Sequence, residues 1–198
     1  MNEKDWEFRR DGEMVKGYWE SRFHPHRDLI VERLKDFEPF DSVLEIGSNV
    51  GPNLFRIQQK YPLVKLTGMD INMEAVVEGK KFLPEVEFVR GNVRELPFKN
   101  KMFDVVISDA VLIYVSHNEF RQVIEEMLRV VKRGMILVEL KNDIDDYWTR
   151  DYKKILEEEH KLKVKEEKIS EKIWMDKPWK EEGYIYECHL PFPTLNKN

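Results

Sequence analysis

Residues Val43-Leu44-Glu45-Ile46 read as an apolar strand that runs directly into Gly47-Ser48-Asn49-Val50-Gly51-Pro52-Asn53, and this junction restricts the fold more than any other stretch. Glycine takes a positive φ without a Cβ clash and lets main-chain N–H groups approach a ligand. A helix opening near Pro52 points its positive dipole end at the same place. Asn49 is one of the few other residue types that enters the left-handed region at small cost. Pro52 suits a first helical turn, where no N–H is needed. A second strand, Leu66-Thr67-Gly68-Met69, closes on Asp70. An acid there, facing a glycine turn, fits a nucleoside-like ligand, because a carboxylate accepts from both vicinal ribose hydroxyls. The turn alone is also compatible with an ordinary strand-helix corner.

Downstream the pattern alternates: helix 52–60, strand 64–69, helix 73–81, strand 86–90, strand 105–108, helix 117–131 and strand 135–140. Such alternation predicts an α/β, Rossmann-like doubly wound, mostly parallel seven-stranded sheet with helices on both faces. Val105-Val106-Ile107 and Met135-Ile136-Leu137-Val138 are continuous apolar runs, expected of strands buried on both sides. Before the first strand, a short helix, a loop through His24-Pro25-His26 and a second helix are expected. After residue 143 a charged helix from Asp145 to His160 leads into two closing strands, with Lys177-Pro178-Trp179 and Glu181-Glu182-Gly183 between them, so a C-terminal antiparallel hairpin is expected.

At 198 residues, one domain over 1–198 suffices: a helical cap segment (1–40), a ligand-binding core (41–142), and a C-terminal helix with closing strands (143–198). The 41% hydrophobic and 36% charged fractions describe a folded protein with a charged surface. With no long apolar run and no basic-apolar leader, neither a membrane span nor a secretion signal is expected. Cys188 is the only cysteine, which excludes an internal disulfide and a cysteine metal cluster, so a cytoplasmic location is expected. A net charge of −5 argues against a nucleic-acid backbone as main partner.

These segments together resemble the class I S-adenosylmethionine-dependent methyltransferases over about residues 40–140. The family's acid-x-Gly-x-Gly-x-Gly turn is matched by Glu45, Gly47, Asn49 and Gly51, with Asn49 departing at the middle glycine. The resemblance implies S-adenosyl-L-methionine as cofactor, leaving as S-adenosyl-L-homocysteine. By the same resemblance, the main chain at Gly47 and Ser48 faces the methionine part, Glu45 contacts its ammonium directly or through water, and Asn53 in the following helix is a further cofactor-binding residue. Asp70 holds the ribose, and Ile71 and Met73 flank the adenine. Gly91-Asn92-Val93-Arg94-Glu95-Leu96-Pro97-Phe98 is similar to the family's stretch after the third strand, with Asn92 in place of the usual Asp and Val93 N–H directed at a ring nitrogen. Phe103 to Ala110 resembles the fourth-strand motif, which brings in Ser108 and Asp109 and sets Val111 to Val115 beside the reaction pocket.

The sulfonium supplies the leaving group, so the protein chiefly orients the acceptor. Where a proton must leave, Asp109, Tyr114, His117, His24, His26 and Asp143 are the candidates by position. The aromatic N-terminal segment, with Tyr18, Trp19, Arg22, His24 and His26, is expected either to cover the site and wall the substrate or merely to staple a helix to the sheet. Trp148 and Arg150 would form the opposite wall. No metal is expected. A small-molecule acceptor leads; a protein or RNA acceptor, an NAD-dependent oxidoreductase, and a non-catalytic cofactor-binding protein are the alternatives. The oxidoreductase is disfavoured because 47–51 lacks Gly-x-Gly-x-x-Gly spacing.

Overall fold

The computed structural model describes Trp6, residues 12–142 and residues 144–191. Asp143 therefore lies outside the described residues. The elements, labelled in chain order, are α1 (Gly12–Glu20), α2 (Pro25–Arg33), β1 (Ser42–Ile46), α3 (Pro52–Lys60), β2 (Lys65–Asp70), α4 (Met73–Phe82) and β3 (Glu87–Arg90). They continue with β4 (Phe103–Asp109), α5 (His117–Val130), β5 (Val131–Leu140), α6 (Tyr152–Glu158), β6 (Lys163–Lys168), the short α7 (Trp179–Glu182) and β7 (Gly183–His189).

One seven-stranded sheet runs β3-β2-β1-β4-β5-β7-β6. Strands β1 to β5 pair in parallel, and β7 pairs antiparallel with both β5 and β6. Strand order reverses between β1 and β4, which opens a crevice at their carboxyl ends. The two-residue period of the strands divides the core. Leu44, Val106, Met135 and Leu137 pack on the side of α5, while Val43, Val105, Ile136 and Val138 pack on the side of α2, α3 and α4. Both faces are dry, as the continuous apolar runs require.

Local chemistry sets the element ends. Asn72 accepts from Glu74 N at 2.9 Å and starts α4. The carboxylate of Asp104 ties β4 to β1, accepting from Asp41 N at 2.9 Å and from Ser42 N and Oγ at 3.0 and 2.9 Å.

Four sequence expectations are corrected. His24-Pro25-His26 is no loop: His24 caps α2 and Pro25 opens it. The charged helix spans only Tyr152–Glu158, because Asp151 caps it by accepting from Lys154 N at 3.1 Å and the chain before it turns, with Asp146 at φ +74°. His160, the expected end of that helix, follows it in a turn, and burial lowers its pKa. Finally, β5 starts at Val131, directly off α5.

Candidate active site

The crevice contains a cavity of about 260 Å³ above the carboxyl ends of β1, β2 and β4. Its floor is the glycine turn. Gly47, Asn49 and Gly51 all take the left-handed conformation, at φ +63°, +48° and +80°. A Cβ on Gly47 would stand 2.3 Å from Val111 Cγ2, so only glycine allows the turn to pass under the segment that follows β4. Ser48 N donates to Met69 O at 3.0 Å, locking the turn to β2. Asp70 then reaches across: its Oδ2 accepts from Asn49 N and its Oδ1 from Asn72 N, each at 2.8 Å. Burial raises the pKa of this carboxyl against those two hydrogen bonds.

A second group of polar side chains lies buried beside the turn. Asn53, in the first turn of α3, donates through Nδ2 to Glu45 Oε1 at 2.6 Å and to Asp109 Oδ2 at 2.9 Å. Arg27 Nη1 donates to Asn53 Oδ1 at 2.7 Å and stands 3.6 Å from Asp109, while its other nitrogens bind Ser21. His26 Nε2 meets Asp109 Oδ2 at 3.0 Å, and His26 Nδ1 meets His24 Nδ1 at 2.5 Å. The two acids are tuned in opposite directions. Burial pushes Glu45 up to about 8 despite the Asn53 hydrogen bond. Burial opposes ionisation of Asp109 as well, but His26, Arg27 and Asn53 outweigh it and hold that carboxyl at about 2.

The segment after β4 is held from below. Glu139, fully buried in β5, accepts from Ser108 Oγ at 2.8 Å and from the N–H groups of Val111, Leu112 and Ile113 at 3.1 to 3.3 Å. Burial raises this carboxyl to about 7, against the bonds from Leu112 and Ser108. Ala110, at φ +57°, is fixed in its uncommon conformation by N–H donation to Val138 O at 2.9 Å. Aromatic rings wall the remainder. Trp6 and Tyr114 meet edge to face, as do Tyr114 and Tyr147. Opposite them, His26, Trp174 and Trp179 form a stack with ring centroids 4.3 Å apart at each step.

The cavity brings together most of the residues singled out in the sequence. Glu45, Gly47, Ser48, Asn49 and Asn53 line one side, and Asp70, Ile71, Asn92 and Val93 line the next. Tyr18, His26, Asp109 and Tyr114 complete the contour. Gly51 stands behind it, packed toward Phe88, and Ser108 faces Glu139 instead. Met73 is half exposed on α4 and outside the lining. His117 is exposed at the start of α5 against Trp148, away from the cavity. Trp19 lies between Phe55 and Phe82, with Arg22 over its ring, so these two staple α1 to α3 and α4. His24 touches the lining only through His26 and Trp174. Arg150 is buried under the wall, donating to Val115 O at 2.6 Å, and Tyr147 takes the wall position expected of Trp148. Asn92 Oδ1 is engaged locally by Arg94 N at 2.9 Å.

Sequence reasoning missed Arg27, Glu139, Trp174 and Trp179. A lone acid inside the apolar run of β5 was a usable signal for Glu139. Trp174 ends the segment that follows the charged helix and Trp179 sits in what reads as a turn, and nothing local ties either to residue 26.

Residues 43–134 match a family model described as "Methyltransferase domain". The chain is 28% identical over 116 residues to a demethylmenaquinone methyltransferase from Thermotoga maritima, covering 58% of this chain and 49% of that protein. It is 32% identical over 96 residues to a phthiotriol/phenolphthiotriol dimycocerosates methyltransferase from Mycobacterium tuberculosis, covering 46% of this chain and 34% of that one. The chain thus spans about half or less of the length of these curated relatives. Among solved structures, a SAM-dependent methyltransferase from Aquifex aeolicus superposes with TM-score 0.66 at 16% identity, covering 92% of this chain and 100% of that one. Magnesium protoporphyrin IX methyltransferase from Synechocystis with bound SAH gives 0.69 at 18% identity, covering 92% and 89%.

Proposed function

We propose that this chain is a class I S-adenosylmethionine-dependent methyltransferase that transfers a methyl group from S-adenosylmethionine to a small-molecule acceptor, a reading supported by the match of residues 43–134 to a methyltransferase-domain model. The observation that carries this reading is Glu45. Its Oε1 is taken by Asn53, while its Oε2 is buried at the cavity and has no donor among the described residues. An unpartnered buried acceptor is costly, and the α-ammonium of the cofactor is a donor of the right charge to complete it. Asp70 fits equally well: each oxygen takes one backbone N–H, leaving lone pairs for two ribose hydroxyls. Bound there, the sulfonium supplies an activated methyl group.

The chain's own part is to orient and to exclude water. Glu139 holds the 111–113 backbone in place, Gly47 admits Val111 over the turn, and the aromatic walls present an open-mouthed pocket for the acceptor. A cavity of about 260 Å³ favours a small molecule over a protein or RNA chain, and the relative named for demethylmenaquinone agrees in size class. In this reading residues 1–40 cap the site, 41–142 bind the cofactor, and 143–198 contribute the closing wall.

Isothermal calorimetry with S-adenosylhomocysteine and with NAD tests the cofactor. The reading requires the first to bind and the second to fail; NAD binding alone would sink it. Methylated product, detected by mass spectrometry after incubation with a panel of metabolites, separates an enzyme from a cofactor-binding protein.

A further inference from the structure

Another set of buried polar side chains lies behind the cavity wall and takes no part in the cofactor site. Arg150, just ahead of α6, is 7% exposed, and its Nη2 donates to Val115 O at 2.6 Å and to Trp148 O at 2.7 Å. Its Nε and Nη1 are buried without a partner among the described residues. The guanidinium carbon stands 4.0 Å from the centroid of the Phe120 ring and 5.7 Å from that of Tyr152, and the rings of Tyr152 and Tyr186 are 5.4 Å apart. Both tyrosines are completely buried, and neither phenol oxygen has a partner among the described residues. All three rings belong to the apolar layer on the α5 side of the sheet.

The chemistry of these groups is one-sided. A guanidinium only donates. Burial raises the pKa of both phenols above the usual range, so the hydroxyls keep their protons and remain donors. Glu139, the buried acid on this face, is committed to Ser108 and to the N–H groups of residues 111–113, and among the described residues no carboxylate pairs with Arg150. A buried cation without a counter-charge and buried donors without an acceptor are each costly. We propose that Arg150, Tyr152 and Tyr186 bind a small monovalent anion, such as a halide ion, behind the wall. One negative charge balances the single guanidinium, and the apolar rings around it favour a weakly hydrated ion over a polyvalent one, whose desolvation costs far more. Entry is from the Arg150 side, since the two tyrosines have no exposed surface. None of the three residues lines the cavity, so the site is separate from the cofactor crevice and independent of the methyltransferase reading.

The test compares thermal unfolding of the full chain in sodium bromide and in sodium gluconate at equal ionic strength. The midpoint should rise with bromide, saturate, and end above its value in gluconate, as binding to the folded state alone requires. A bromide-soaked crystal should show an anomalous peak within hydrogen-bond distance of Arg150 Nε or Nη1. Arg150→Gln should abolish both signals. Because that change also removes the bonds to the Val115 and Trp148 carbonyls, Tyr186→Phe, which deletes one hydroxyl and keeps the ring, is the second variant. It should raise the half-saturating bromide concentration about 3- to 10-fold. Equal midpoints in the two salts, water without anomalous signal at Arg150, or an unchanged half-saturating concentration in Tyr186→Phe would each overturn the inference. So would an anomalous peak with no rise in midpoint, which would mark an adventitious ion only.

Discussion

At the scale of single residues, the site depends on buried carboxylates whose environments differ by a few atoms. Glu45 and Asp109 share one amide donor, Asn53 Nδ2, yet Glu45 is held at about 8 and Asp109 at about 2, because burial dominates at Glu45 while His26 and Arg27 stand directly against Asp109. A cation arriving at Glu45 Oε2 favours the ionised form, so cofactor binding below pH 8 should release a proton from this group. Calorimetric enthalpies of S-adenosylhomocysteine binding should therefore depend on the ionisation enthalpy of the buffer. Glu45→Gln should reduce that dependence and weaken binding; identical proton release in the variant would refute the assignment. Gly47→Ala carries a different penalty, since its Cβ meets Val111 Cγ2 and its φ is positive. It should cost about 1–3 kcal/mol of stability, measured by urea unfolding, and Val111→Ala in the same chain should recover part of the loss.

At the scale of elements, what positions the site is how strand ends are tied to one another. Asp104 at the start of β4 accepts two backbone N–H groups and the Ser42 hydroxyl from β1, and Lys132 from β5 adds a 3.1 Å contact. These partners outweigh the opposing effect of burial and lower its pKa. Asp104→Ala should destabilise the chain by roughly 2–3 kcal/mol through the amides left unpaired, with little effect on cofactor affinity because the residue sits at the opposite ends of the strands. A lowered folded-state pKa stabilises above the unfolded value and is lost as pH falls. The wild-type advantage over this variant should accordingly shrink in acid, which paired urea titrations would show. Elements whose ends follow from local backbone chemistry were legible in the sequence: Pro52 opens α3 and Asn49 takes the left-handed conformation as its residue type allows. The Asp145–His160 helix was not, because its first residues turn and the cap is Asp151.

At the scale of the whole molecule, the acids that serve the site set the pH dependence of stability. Glu45 and Glu139 have folded pKa values raised to about 8 and about 7 from 4.5. Their folded forms keep protons that the unfolded chain releases, so their contribution is full below pH 4.5 and is lost as pH rises through 7 and 8. Asp109, lowered from 3.8 to about 2, acts oppositely and loses its contribution as pH falls through that range. Urea midpoints should thus decline from about pH 5 to pH 8, and saturating S-adenosylhomocysteine should flatten the decline; a midpoint rising over that interval would contradict the assignments. The mostly parallel sheet, its antiparallel C-terminal strands and the acids that line the cavity could be read from sequence, because the elements alternate and the acids lie at strand ends within recognisable local patterns. The rest of the cavity wall was legible only in part: Tyr18 and His26 stand out in the aromatic N-terminal segment, but His26 meets Asp109 across 83 positions and Trp174 only through the folded C-terminal strands. The most direct test of the account is the dissociation constant of S-adenosylhomocysteine for the wild-type chain and for Asp70→Ala, by calorimetry at neutral pH. Loss of the charge-assisted hydrogen bonds to the ribose should weaken binding by about 10- to 100-fold, whereas an unchanged constant would mean that the cavity over β1 and β2 does not hold the nucleoside.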